Sequence, residues 1–267
     1  MGALRLLPLL AGGLAAYAAV ALWVRVQQRR LIYHPRPAAD PSGRLALMVN
    51  GTRVMVSHRP HPGPCALIYF GGNAEDVSVT RAELAALLPD TALYLLHYRG
   101  YGGSDGSPNE RSLRADAEAL HALVARRHPS VIVVGRSLGT GPAVHVAASR
   151  PVVQLVLLVP FDSLLAVARR ALAWLPVDLL LQDRWDAAAE APQVRAPTRI
   201  VAAERDAVVP PEHAVALHRA FREGLAEMVV DPEIAHTTPI SLSRSMREAL
   251  LRAASSACPA SPRTQPR

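Results

Sequence analysis

Val131-Ile-Val-Val-Gly135-Arg136-Ser137-Leu138-Gly139 is the stretch on which the fold turns. A short β-branched apolar run ends in Gly-x-Ser-x-Gly, and a helix-compatible segment, Thr140 to Ser149, follows it. Strand, sharp turn and helix form the setting in which this pattern makes a nucleophile elbow. So tight a turn leaves no room for side chains on either flank of the serine, hence Gly135 and Gly139. The serine hydroxyl then stands above the sheet edge at a helix start. Free N–H groups and a partial positive charge there favour a developing oxyanion.

Outward from the elbow, apolar runs alternate with helical patterns. Leu45–Val49 and Arg53–Ser57 flank Asn50-Gly51, a pair suited to the φ > 0 positions of a type I′ hairpin turn. Cys65–Phe70 is a continuous apolar run, as in a strand covered on both faces. Ser78–Leu88 reads as helix, Ala92–Leu96 as strand, and Ser107-Pro108 opens a helix to Arg127 with Leu113, Ala117, Leu120 and Val124 on one face. Beyond the elbow come the strand Leu155–Val159 and a helical stretch from Ser163 to Ala189. Then follow the strand Thr198–Ala202, the helix Pro211–Phe221, the strand Glu227–Val230 and the closing helix Ile240–Ala253. The order predicts an α/β fold: a mostly parallel sheet with helices on both faces. At 267 residues, half of them hydrophobic, the chain suits one domain and a short appendage.

That appendage is N-terminal. Leu6–Val24 carries no charged side chain over nineteen residues, about the length of a spanning helix. Arg5 precedes it, and Arg25, Arg29 and Arg30 follow, which predicts a single-pass membrane helix with the body on the cytoplasmic side. A signal peptide cut after Ala16-Tyr17-Ala18 is the competing reading, but the apolar run continues past that point. The expected division is an anchor over 1–28, a catalytic body over 29–253 and a disordered Ser/Pro-rich tail over 254–267.

Net charge is +7, and no lysine occurs. Residues 1–60 hold eight arginines against one acid, so the surplus lies beside the apolar segment and the rest of the chain is neutral. That distribution excludes a nucleic-acid groove. Cys65 and Cys258 make no disulfide framework, no Cys/His cluster has metal-ligand spacing, and cysteine usage leaves the compartment open.

A serine hydroxyl needs a histidine to take its proton and an acid to hold that histidine. In this strand order the partners follow as Ser, acid, His. His236 lies just past the last predicted strand, whereas His58, His61, His128, His213 and His218 read as surface or helix residues. Asp206 follows the strand before it, with Glu204 and Asp162 as rivals. An oxyanion hole needs two backbone N–H groups. Leu138 is expected to supply one and Asn73 the other, with Gly72 as the alternative.

Phe70-Gly-Gly-Asn-Ala74, Tyr98-Arg-Gly-Tyr-Gly-Gly-Ser104, Gly135-Arg-Ser-Leu-Gly139, Asp206-Ala-Val-Val-Pro210 and Ala235-His236 occur in the order of the α/β-hydrolase superfamily. The chain resembles its membrane-anchored, single-pass serine hydrolases with a small cap, over about residues 30–253, and Leu31-Ile-Tyr-His-Pro35 resembles their leading segment. The resemblance implies an α/β-hydrolase fold preceded by one transmembrane helix, with a short helical cap over about 161–190. It also implies a Ser137–Asp206–His236 triad cleaving carboxylic esters or thioesters, without a cofactor or a metal. One departure stands out: the branch usually has His-Gly where this chain has Gly71-Gly72.

Arg99, Tyr101 and Asp105 read as a hydrogen-bonded turn beside the elbow, and Arg136 as an ion-pair anchor beneath it. Leu164, Leu165, Leu172, Trp174, Leu175, Leu179, Leu180 and Trp185 suit either the packing of a lid or the wall of an acyl pocket for a small-molecule or lipid-like substrate. Asp178, Asp183 and Asp186 read as a solvated face. A serine aminopeptidase of the same fold and a silent hydrolase-fold scaffold are the rival functions.

Overall fold

In the computed structural model the described residues are 3–258, with side chains from Leu10 onward. A long helix, α1 (Ala3–Ile32), leads into the hairpin β1 (Arg44–Val49) and β2 (Thr52–Arg59). Asn50 and Gly51 at its tip both have positive φ, 49° and 76°, as the type I′ turn requires. Next come β3 (Cys65–Phe70), α2 (Val77–Leu87), β4 (Ala92–Leu96), α3 (Glu110–Ala125) and β5 (Ser130–Arg136). A 3₁₀ turn over Ser137–Gly139 then runs straight into α4 (Thr140–Ser149). After β6 (Gln154–Leu158) the cap holds three short helices, α5 (Leu164–Ala171), α6 (Val177–Leu180) and α7 (Ala187–Glu190). The chain closes with β7 (Thr198–Ala203), α8 (Pro211–Ala220), β8 (Ala226–Asp231) and α9 (Arg244–Ala257).

Sheet order is β1-β2-β4-β3-β5-β6-β7-β8. β1, β2 and β4 pair antiparallel, and every pairing from β4 through β3 to β8 is parallel. Period-two alternation divides each central strand between two cores. Ile68 and Phe70 of β3 face the side covered by α3, α4 and α8, while Leu67 and Tyr69 face α2 and α9. This two-sided burial is why β3 reads as an unbroken apolar run.

The elbow glycines answer to close approach. A Cβ on Gly139 would overlap the Phe70 carbonyl, and one on Gly135 would strike the Gly139 carbonyl and Ala143 Cβ. Ser137 itself is held at φ 48°, the left-handed region that a non-glycine residue enters at a cost. Gly139→Ala is expected to push α4 off the end of β3 and to destabilise the protein by roughly 1–3 kcal/mol, read as a fall in thermal midpoint.

Several expectations need correcting. The helical stretch from Ser163 to Ala189 is divided into three short helices, because Pro176 and the non-helical Leu181–Trp185 segment interrupt it. The helix expected to end with the anchor at residue 28 runs on to Ile32, and Tyr33 just beyond it is only 2% exposed. Asp183 is no solvated residue. It is 4% exposed, accepts from Tyr33 Oη at 3.0 Å and pairs with Arg29 at 3.5 Å. Asp178 is paired with Arg169, and Asp186 caps α7. Ala254–Ala257 belong to α9 and not to a disordered tail, and 259–267 lie outside the described residues. His128 is buried between Tyr94 Oη and the Gly63 carbonyl.

Cys65 and Cys258 form a disulfide, with Cα atoms 6.1 Å apart. The bond ties the start of β3 to the end of α9 across 193 residues. Chain-entropy arguments for so long a loop put its contribution at about 2–5 kcal/mol. Cys258→Ser is therefore expected to lower the denaturant midpoint of oxidised protein and to leave reduced protein unchanged.

Over Leu10–Ile32, α1 is long and apolar enough to cross a membrane. It is not a core helix: Leu10, Leu14, Leu22, Trp23 and Val26 all face outward. Its last turns are fastened to the cap. Gln28 donates to the Leu180 carbonyl at 3.1 Å and accepts from Gln182 N–H at 2.7 Å, and Trp185 Nε1 donates to Tyr33 Oη at 3.1 Å.

Candidate active site

Ser137 leaves β5, Asp206 leaves β7 and His236 follows β8, so parallel strands deliver all three to one sheet edge. Ser137 Oγ lies 2.7 Å from His236 Nε2, and His236 Nδ1 lies 2.7 Å from Asp206 Oδ2. Asp206 is buried, and its other oxygen accepts from Val208 N–H at 2.9 Å and Val209 N–H at 2.7 Å. Those two amides orient the carboxylate and leave Oδ2 for the imidazole. With Nδ1–H donating to Asp206, Nε2 is the acceptor of the Ser137 hydroxyl.

The rival acids are engaged elsewhere. Asp162 sits 2.7 Å from His213 Nδ1 at the start of α8, and Glu204 is exposed. Among the described residues Arg136 meets no carboxylate at ion-pair distance beneath the elbow. Its Nη2 donates to the carbonyls of His236 at 3.3 Å and Thr238 at 2.9 Å, and so clamps the histidine loop. Thr238 Oγ1 in turn accepts from Ala235 N–H at 2.9 Å.

Of the two candidate oxyanion donors after β3, one is occupied. Gly72 N–H donates to Glu75 Oε2 at 2.5 Å, whereas among the described residues Asn73 N–H meets no protein acceptor. Leu138, second in the 3₁₀ turn, has an N–H without an intrahelical partner. Asn73 lines the pocket that holds Ser137 and His236, a cavity of about 420 Å³ bordered also by Glu75, Val208 and Thr237, and Leu138 directly follows Ser137.

The loop that carries Asn73 is held without the histidine usual in the resembling branch. A Cβ on Gly71 would come within 2.6 Å of Val77 Cγ1, so a larger residue has no room there. Tyr98 Oη donates to the Gly71 carbonyl at 2.8 Å. Glu75 accepts from Tyr69 Oη at 2.9 Å and Thr80 Oγ1 at 2.6 Å while holding Gly72. Burial raises the pKa of both tyrosines well above the ordinary value, with Glu75 adding to the effect, so each stays a proton donor. The Asn73 side chain donates to the Ile32 carbonyl at 2.6 Å and accepts from His34 N–H and Tyr101 Oη, both at 2.9 Å. Arg99 pairs twice with buried Asp116 at 2.8 Å, which makes its loop the hydrogen-bonded turn expected. Sequence reading missed Glu75. The available signal was a carboxylate two residues after Gly71-Gly72-Asn73, next to the Asp76 that caps α2.

Sheet order, elbow and loop positions together define a class, and the chain belongs to the α/β-hydrolase superfamily. No family model matches it. It is similar over nearly its whole length to the uncharacterized protein Rv2307c of Mycobacterium tuberculosis, with 35% identity covering 93% of this chain and 94% of that protein. Alpha/beta hydrolase domain-containing protein 17B of Homo sapiens is 32% identical over 108 residues, 38% of each chain. Among solved structures, the Pyrococcus furiosus esterase Pf2001 superposes with a TM-score of 0.68 at 14% identity, covering 85% of this chain and 97% of the esterase. At that identity the likeness speaks for the fold alone.

Proposed function

We propose that the protein is a membrane-anchored serine hydrolase that cleaves carboxylic esters or thioesters through an acyl-enzyme. The row Ser137 Oγ–His236 Nε2–Nδ1–Asp206 Oδ2, with 2.7 Å at each step, is the observation that carries this reading. Ser137 Oγ attacks the acyl carbon as His236 takes its proton. Negative charge moves to the carbonyl oxygen, where the Leu138 and Asn73 amides hold it. His236 returns the proton to the leaving alcohol or thiol as the C–O or C–S bond breaks. Water, deprotonated by the same imidazole, then releases the acid and restores Ser137. Asp206 stays ionised throughout and stabilises the imidazolium.

Aminopeptidase chemistry has less support. Among the described residues Glu75 is the one carboxylate lining the Ser137 cavity, and its oxygens already accept from Tyr69, Gly72 and Thr80, which leaves it poorly placed for a substrate ammonium. The scaffold reading leaned on Gly71, and the bonds from Tyr98, Glu75 and Asn73 hold that loop in the histidine's stead. The test is a panel of p-nitrophenyl esters and acyl thioesters of rising chain length, run beside aminoacyl anilides on full-length protein. Ester or thioester turnover with inert anilides is expected. Anilide turnover alone would overturn the assignment.

Arginine placement after α1 supports a cytoplasmic body, but Arg5 offsets part of that bias. The Cys65–Cys258 bond supports the opposite side, since disulfides persist in oxidising compartments. We give the covalent bond more weight and place the hydrolase domain outside the cytoplasm. A reporter fused after Arg267 that folds only outside the cytoplasm is expected to be active; activity of a cytoplasm-only reporter would reverse the placement.

A further inference from the structure

We infer that the tip of the cap, Ala171–Val177, is a second membrane-embedded element that seats in the leaflet facing the hydrolase domain. The inference rests on α1 being the membrane anchor proposed above. From Trp174 to Trp185 the cap chain runs alongside α1 from Tyr17 to Tyr33. Tyr17 Oη donates to the Trp174 carbonyl at 3.1 Å, and the two rings pack edge to face at 6.4 Å. Arg25 donates to the Leu179 carbonyl at 3.1 Å, and Gln28 to that of Leu180.

These contacts set a depth. Arg25 is the first charge after the uncharged run of α1 and marks the water boundary on the body's side. Tyr17 lies eight residues before it, about 12 Å along the helix at 1.5 Å per residue. Whatever touches Tyr17 shares its level. If α1 spans the bilayer with Arg25 at the boundary, Trp174 is in the leaflet and cannot be in water.

The tip is suited to that position. Ala-Leu-Ala-Trp-Leu-Pro-Val carries no charged side chain. Trp174 is 59% exposed and Leu179, just beyond the tip, 76%, although the protein has a well-packed core in which to bury such groups. Charge gathers only at the base of the tip, where Arg169 pairs with Asp178 and Arg170 stands exposed. Those arginines, with Arg25, Arg29 and Arg30, complement anionic headgroups, and the apolar tip fits the acyl boundary beneath them.

The arrangement also opens the active site toward the membrane. Ala74 lines both the Ser137 cavity and a wider recess of about 690 Å³ where α1 ends, with Arg30, Tyr33 and Arg36 on its walls. A substrate ester resident in the leaflet would reach Ser137 along that face.

Tryptophan emission tests the inference on full-length protein in vesicles of phosphatidylcholine and phosphatidylglycerol, with and without mid-chain bromination. Trp185 is fully buried and serves as a constant background. Trp23→Phe leaves Trp174 as the reporter of the tip, and Trp174→Phe leaves Trp23 as the reporter of the anchor. Brominated lipid is expected to quench the Trp174 component by about half, as for a side chain buried in the acyl boundary. Quenching of Trp174 supports the inference whatever Trp23 does. Quenching of Trp23 alone overturns it and leaves the anchor standing. Quenching of neither overturns the anchor and the tip together.

Discussion

Ser137→Ala is expected to lower kcat on the best ester or thioester by about a millionfold, to the level left by binding and oxyanion contacts alone. The size follows from the division of labour at the elbow. In the proposed mechanism Ser137 Oγ is the atom that His236 deprotonates, and no other hydroxyl lies at hydrogen-bond distance from His236 Nε2 among the described residues. Stability should change little. The Ser137 side chain contributes one hydrogen bond, while the strained φ of 48° is imposed by β5, the Gly139 approach to Phe70 and α4, not by the hydroxyl. His236→Ala should match Ser137→Ala, and the double variant should cost no more than either single one, because the two act as a unit. Steady-state and single-turnover rates on purified full-length variants decide it. Additive losses, or a serine variant within tenfold of the parent, would contradict the assignment.

Asp206→Asn is expected to cost about 10⁴-fold in kcat with an intact fold. Asparagine can still accept from Val208 and Val209 through one oxygen, so the loop keeps its shape. Its amide then faces His236 Nδ1 as a donor, which favours the wrong imidazole tautomer and withdraws charge from beside the imidazolium. Asp162→Asn is the control. It faces His213, not His236, so it should leave kcat within a few-fold and cost stability, about 1–3 kcal/mol for a disturbed, partly buried hydrogen bond to a carboxylate. Because the two acids follow adjacent strands, the contrast separates the catalytic acid from its neighbour. A larger kcat loss at Asp162 than at Asp206 would reverse the two roles.

Much of this was legible along the chain because its signals are local. The alternation at Asn50-Gly51, the apolar runs of β3 and β5 and the glycines around Ser137 depend on neighbours a few residues away. Parallel strands in a known order then carry the local marks at Asp206 and His236 to one edge. What escaped depends on contacts between distant segments. Asp183 resembles its neighbours Asp178 and Asp186 in sequence, and only the return of the cap onto Tyr33 and Arg29 buries it. Cys65 and Cys258 carry no pairing signal because 193 residues separate them. Glu75 gains its role from Tyr69, one strand back, and Gly72, three residues back, a geometry that the local pattern leaves open. The cap composition left lid packing and an acyl wall equally open. The structure divides it: Leu175, Val177 and Trp185 pack inward, and Trp174 and Leu179 face out beside α1.

The Gly71-Gly72 departure shows how one loop can be held by a different set of atoms. Where the resembling branch has an imidazole, Val77 fills the space and a tyrosine, a glutamate and the end of α1 supply the bonds. Through Asn73, the loop after β3 is fastened directly to the point where α1 ends and to Tyr101, which ties α1 to the sheet edge that carries Ser137.

The most direct measurement is the site of covalent capture: full-length protein treated with a fluorophosphonate, digested, and the adduct located by mass spectrometry. One phosphonylated residue is expected, Ser137, with labelling lost in Ser137→Ala and strongly slowed in His236→Ala. Folded protein that takes no label, or takes it on another residue, would contradict the assignment.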